Sequence, residues 1–310
     1  MGQNYGSLAK QTSGHKKAVR RTSRNATVQE AKAVISRLAG AAIRAFLVIL
    51  LIATPSLIIP GTTSDVAQVV TLVALFAAFL TFFEYASTYP GLIEFRDAPP
   101  FNRMRFGSLF LTILLLSLMK DGSSGLGSQL VISIGSTVGQ VIDFPYSPVR
   151  LVVLMLPPEA SVQHVHLVRD SAGVAYFISL FTLAAFVIMQ RLCHWPTRNG
   201  DFNVWVNLPT FDPTAGGDVV ERLERDARFN IALGFLLPFL TPAVIKSATT
   251  LFGSVSLDSP QTLIWTVAAW AFLPASLFMR GIAMGRIAML ITEKRKLSSK
   301  DQGNAGLLPV

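Results

Sequence analysis

Lys246 stands four residues after Pro242 and eight after Pro238 in the run LLPFLTPAVIKSATT. Two prolines in an apolar helix remove backbone donors and free carbonyls. A broken helix with a cation beside it is an arrangement that can hold an ion or polar substrate in a transporter. Lys246 also sits close enough to the outer end of its run to reach the headgroups. Arg44 and Glu84 fall at similar depth in the first two apolar runs, where an ion pair would offset the cost of charge in low dielectric. Such a pair would staple a hairpin or mark an ion path. His164 and His166 are the weak metal candidates, with Glu159 and Asp170 near in sequence. Zinc or copper needs further convergent ligands, and the chain has 4 His and 1 Cys. No cofactor or metal is expected.

Other spellings carry less. GSSG at 122–125 would need a base, and the last apolar run has no histidine to supply one. Cys193-His194 has no further ligands. No paired carboxylates lie next to the runs. The residues therefore favour a chain without catalytic groups.

The stretch YPGLIEFRDAPPFNRMRFGSLF, residues 89–110, is rigid, basic and aromatic between two greasy runs. Arg96, Arg103 and Arg105 have a simple reason to be there, since cations gather on one side of a membrane and meet its headgroups. Pro99, Pro100 and Phe101 are not explained that way, and they read as an ordered docking loop. RDA followed by FN occurs both at 96–102 and at 225–230, a match too short to establish a repeat. GIAMG, with Gly281 and Gly285, is a GxxxG helix-packing face. Arg280 and Arg286 flank it and would attract anionic lipid.

The elements that must position these residues are read from composition. Of 310 residues, 51% are hydrophobic and 15% charged, against about 25% charged in a soluble domain. The deficit lies in six apolar runs, approximately 42–60, 66–87, 106–120, 171–190, 230–250 and 262–280. The expected fold is an all-α polytopic membrane protein with about six transmembrane helices. The third run spans only about 22 Å and needs help from flanking residues. A net charge of +9 in a soluble protein would suggest nucleic acid. Here 23 of the 27 Lys and Arg fall on the side of the N-terminus and four on the other, so topology explains it. The asymmetry predicts N-in and C-in orientation, with no nucleic-acid partner.

Residues 1–26 read as a disordered basic cytoplasmic tail, and TVQE at 27–30 as a capping box that starts the first helix. Residues 27–290 form the membrane domain. They include an outer cap at 121–170 and ordered inner loops at 88–105 and 191–229. Within the cap, SQLVISIGSTVGQVID predicts an amphipathic helix with Leu130, Ile134, Val138 and Val141 on one face. RLVVLML and SVQHVHLV around PPEA predict a β-hairpin. Residues 291–310 form a basic C-terminal tail. A bacterial cytoplasmic membrane is the expected location, ahead of an organellar one.

The first functional expectation is a non-enzymatic scaffold, assembly factor or accessory subunit, in contact with anionic headgroups and other membrane proteins. The alternative is a small transporter or channel using the proline-broken fifth span, and an unrecognised membrane enzyme is the third.

Overall fold

In a computed structural model of the chain, the described residues are 5–89, 91–121, 125–193, 195–196, 207–212, 214, 216–252 and 257–305. Side chains are described for these except at 5–28, 249–252 and 300–305. The GSSG serines, His194 and much of the loop at 191–229 lie outside this set.

The chain is 81% helix with no strand among the described residues. Among the described residues, eight helices follow in order: α1 (Tyr5–Ile58), α2 (Ser64–Ala86), α3 (Phe101–Asp121), α4 (Leu126–Ile142), α5 (Pro148–Leu154), α6 (Val162–Leu192), α7 (Val219–Phe252) and α8 (Pro260–Ala305). Six segments, within α1, α2, α3, α6, α7 and α8, are long and apolar enough to cross a membrane. This is a multi-pass membrane protein.

The third span is longer than its apolar run. α3 starts at Phe101, directly after Pro99-Pro100, and takes in Asn102, Arg103 and Arg105. Its 21 residues rise about 32 Å, enough for a ~30 Å hydrocarbon core. Arg103 and Arg105 are thus on the first turns of a helix, inside the stretch 88–105 expected to be an ordered loop.

Three local expectations are corrected. The backbone of α1 is helical from Tyr5 and passes through Thr27 and Glu30 without a break, so TVQE is not a cap. A long anchored helix already carries the nucleation cost, and it propagates outward through good helix formers. The β-hairpin is absent. Ser147 caps α5 by accepting from the Arg150 N–H, with Pro148 in the first turn. Ser161 caps α6 by accepting from the His164 N–H. Two serine caps and a first-turn proline override the β-branched composition of these stretches. The cap helix at 128–143 does form as α4, but its small residues Ser128, Gly135 and Gly139 are buried. Leu130, Ile134 and Val141 are exposed. Bare apolar side chains facing outward suit a lipid surround.

Glycine sets the closest crossing. A Cβ on Gly173 of α6 would lie 2.6 Å from Gly139 Cα of α4. α7 and α8 form the most extensive pair. There a Cβ on Gly281 would meet the Ala227 carbonyl at 2.7 Å, while one on Gly285 would find only ordinary contact, 3.8 Å from Ala227 Cβ. Asp218 starts α7 by accepting from the Val220 N–H, and Arg295 of α8 binds its two oxygens at 2.8 and 3.1 Å. The Val220 N–H and Arg295 hold that carboxyl below the usual carboxylate range.

The proline break in α7 is repaired internally. Pro242 has no N–H for the Pro238 carbonyl four residues back. The Trp270 indole donates to that carbonyl at 3.1 Å instead. Trp270→Phe should therefore lower stability by about 1–2 kcal/mol, the cost of an orphaned buried acceptor plus lost packing. Thermal unfolding in detergent measures it. Pro242→Ala restores the missing donor, so the same substitution in that background should cost less.

α2 packs on α1, and α1 in turn on α3 and more lightly on α8. The α1–α2 hairpin therefore stands to one side of the body. Leu72, Phe76, Phe79 and Phe83 of α2 are exposed.

Candidate functional site

The end of the bundle that carries residues 87–100 is tied together by hydrogen bonds from a few side chains. Glu84, in the last turn of α2, accepts from the backbone N–H groups of Gly91, Leu92 and Ile93 at 3.0–3.2 Å. Arg96 reaches back to the carbonyls of Glu84, Ser87 and Thr88 and pairs with Asp97 at 3.2 Å. Asn207, distant in sequence, accepts from the Phe95 and Asp97 N–H groups through its carbonyl and its side-chain oxygen. The Trp195 indole donates to the Ala98 carbonyl at 3.0 Å. Phe95, with a left-handed φ of 53°, is fully buried. It packs on Phe101 and Trp195, ring centroids 4.5 and 5.7 Å away, and those two rings pack in turn on Phe186 at 5.5 and 5.7 Å. That conformation costs an L-residue about 1–2 kcal/mol, and the aromatic cluster offsets it.

Arg44 and Glu84 do not form the predicted pair. Arg44 donates to the Gly40 carbonyl at 2.7 Å and lies over the Tyr85 ring, 4.6 Å from its centroid. Glu84 is taken by backbone donors because the chain reverses immediately after it. Fixed N–H groups outcompete a long side chain that must lose rotamer freedom to reach.

Between this loop, the α1–α2 hairpin and the body lies a cavity of about 1090 Å³. Its polar wall carries Arg44, Arg96, Arg103, Arg105 and Arg280, with Glu94 and Asp97. Its apolar wall includes Leu47 and Val48 of α1, Leu237 of α7, and Leu273 and Leu277 of α8. Two arginines are neutralised. Arg280 binds Glu94 through two contacts of 2.6 and 2.9 Å, and Glu94 also accepts from the Thr210 hydroxyl at 2.7 Å. Arg96 has Asp97. Among the described residues, Arg44, Arg103 and Arg105 make no contact ion pair. Five cations against two carboxylates leave the lining at +3.

Arg105 is the most confined of the three. Its nearest polar partners are distant, Ser276 Oγ at 3.4 Å and Asn102 Oδ1 at 3.5 Å. Its guanidinium stands 5.5 Å from the Phe101 centroid and 5.8 Å from that of Phe272. Arg44 and Arg103 are exposed, whereas Arg105 is partly buried, and a cation in low dielectric without a contact counter-charge is costly. A bound anion relieves that cost, and a guanidinium fork matches carboxylate or phosphate oxygens. The described lining has no His, Cys or Lys, and both its carboxylates are held in salt bridges. Guanidinium groups at a cavity are chemistry suited to an anion.

The remaining predicted residues fall elsewhere. Phe101 is buried, and Pro99 and Pro100 are half-buried, so the loop's rigid residues serve its own core and the cavity wall. Lys246 donates to the Leu156 carbonyl at the end of α5, 3.3 Å away. An apolar cavity of about 550 Å³ beside Pro242 has Trp265, Trp270 and Ile245 in its lining, but not Lys246. His164 and His166 are within the first two turns of α6, not on a strand. Two residues apart on a helix point to different faces, and His164 has only a 3.8 Å approach to Asp258. No cluster of three or more His, Cys, Asp or Glu able to hold a metal occurs among the described residues. Gly281 and Gly285 lie on the α7 side of α8.

Sequence reading passed over Glu94 and Tyr85, and it noted Arg280 only as a flank of the GxxxG. Glu94 was visible as an acid inside a basic loop, but nothing local announces a partner 186 residues away. The sequence matches no protein family and no curated protein, and the fold matches no solved structure.

Proposed function

We propose that the chain is a non-enzymatic accessory or scaffold component of a membrane, and that it holds an anionic amphiphile in the arginine-lined cavity. The observation that carries this reading is three arginines that make no contact ion pair among the described residues, lining a cavity whose other residues are largely apolar. A charged headgroup meets Arg44, Arg103 and Arg105, while its hydrocarbon part meets Leu47, Val48, Leu237 and Leu273. The positive-inside bias supports placing this end of the bundle on the cytoplasmic side, in a bacterial inner membrane. Lys246 supports a transport reading less well, since it is tied to a carbonyl and stands off the neighbouring cavity.

The test is native mass spectrometry of the protein extracted in mild detergent, with anionic and zwitterionic lipids competing. The wild type should retain anionic amphiphile in excess of its share of the membrane. Arg105→Gln should weaken retention about 10- to 100-fold, the worth of one charge-assisted contact of ~1.5–3 kcal/mol. Arg105→Lys, which keeps the charge but loses the fork, should fall between. A lipid profile equal to that of the bulk membrane, unchanged by Arg105→Gln, would overturn the reading.

A further inference from the structure

Two cavities in this molecule share a wall. Leu237 of α7 and Leu273 of α8 line both the arginine-rich cavity and the apolar cavity beside Pro242. The second is almost entirely hydrocarbon in character, walled by Val152, Met155, Ile245, Trp265 and Trp270. We infer that the two form one bipartite site for a single lipid with a phosphate headgroup. The phosphate sits against Arg105 and Arg44, and one hydrocarbon chain runs past Leu237 and Leu273 into the Trp265 cavity. This rests on the cavity reading above and adds the ligand's shape and the direction in which it lies.

Length supports it. Arg105 lies beside Ser276, and from there to Trp265 α8 rises through eleven residues, about 17 Å. One leaflet's share of a ~30 Å hydrocarbon core is ~15 Å. A chain of ordinary length therefore reaches the far cavity with its phosphate still at the arginines. Leu237 and Leu273 line both cavities, and a leucine side chain can turn to another rotamer where backbone cannot move. The occupant of the apolar cavity is thereby identified by continuity: what enters past these leucines is attached to what the arginines hold.

Placing a chain here gives little by the hydrophobic effect, since lipid tails already lie in hydrocarbon. The chain's contribution is packing and position, so position is what the experiment should read. Trp265 and Trp270 are natural reporters. One equivalent of a phosphate-headed lipid, brominated either near the headgroup or near the chain end, is added to the full-length protein in micelles, and tryptophan fluorescence is followed. Chain-end bromines should quench at least twice as much as headgroup-proximal ones. Trp265→Phe should shrink that difference, and Arg105→Gln should remove the quenching from both probes. Leu273→Phe thickens the wall by a few atoms and should reduce chain-end quenching.

The outcomes separate the two ideas. Equal quenching from both bromine positions, with Arg105-dependent retention intact, overturns the bipartite site and leaves the headgroup cavity standing. Loss of Arg105-dependent retention for every phosphate lipid, a short-chain analogue included, overturns both. The wild-type measurement needs no substitution to fold, so a misfolded variant does not blunt the test.

Discussion

Glu94→Gln should destabilise the protein by about 3 kcal/mol while tightening its hold on an anionic ligand. The Glu94–Arg280 pair is partly buried, with side-chain exposures of 13% and 26%. Removing one member of a buried pair leaves the other charge uncompensated, typically at 3–5 kcal/mol. Partial exposure of Arg280 places this case at the lower end. Glu94 also ties three separate segments, its own loop, Thr210 and α8, so its loss loosens more than one contact. At the same time the cavity gains a fourth cation without a carboxylate. Unfolding in detergent and lipid retention by native mass spectrometry should therefore move in opposite directions. Pairing Glu94→Leu with Arg280→Met removes both charges at similar volume, and should cost less than Glu94→Gln alone. A double substitution as damaging as the sum of its singles would refute the argument, as would a Glu94→Gln that loses ligand.

Gly173→Leu should cost at least about 3 kcal/mol, the upper end of overpacking penalties. The reason is what the new side chain would meet. Its Cβ alone would come within 2.6 Å of Gly139 Cα and 3.0 Å of Gly139 N, both backbone. A flexible side chain can swing away, but backbone moves only if α4 and α6 separate. Asp170 lies at the same crossing, since a Cβ on Gly139 would stand 2.7 Å from its Cα. Gly107→Ala in α3 supplies the opposite sign. Nothing lies within 4 Å of a Cβ there, and replacing a mid-helix glycine is favourable by roughly 0.5–1 kcal/mol. Thermal midpoints of the two variants should bracket the wild type. A Gly173→Leu protein as stable as wild type would mean that α4 does not pack on α6 through these glycines.

Much of the scaffold was readable in advance because its signals are local. The six apolar runs became six spanning segments, and the short third run found its missing turn in Asn102–Arg105. Where local signals conflicted, position in the chain decided. Leu151–Leu154 and Val162–Val168 have strand-like composition, yet serine caps turned both stretches into helix. RDA at 96–98 lies in a loop with Ala98 buried, whereas RDA at 225–227 lies inside α7. The same letters therefore carry no shared structure, and the match does not mark a structural repeat.

The candidate site was legible only in pieces. Arg44, Arg96, Arg103, Arg105 and Glu84 stood out as charges beside apolar runs, but their pairing did not. Glu84 went to backbone donors, Arg44 to Tyr85, and Glu94 to Arg280. The sequence by itself determined that the chain has six segments long and apolar enough to cross a membrane. Hydropathy and charge sum residue by residue and need no partner. Only the tertiary structure decided which arginines are neutralised and which face a cavity. That outcome depends on how helices rotate against one another, and rotation is set by contacts such as Gly139 against Gly173 and Gly281 against Ala227, far apart in the chain. In YPGLIEFRDAPPFNRMRFGSLF, Phe95 and Phe101 turned inward, and Pro99, Arg103 and Arg105 came to line the cavity, the two arginines making no contact ion pair among the described residues.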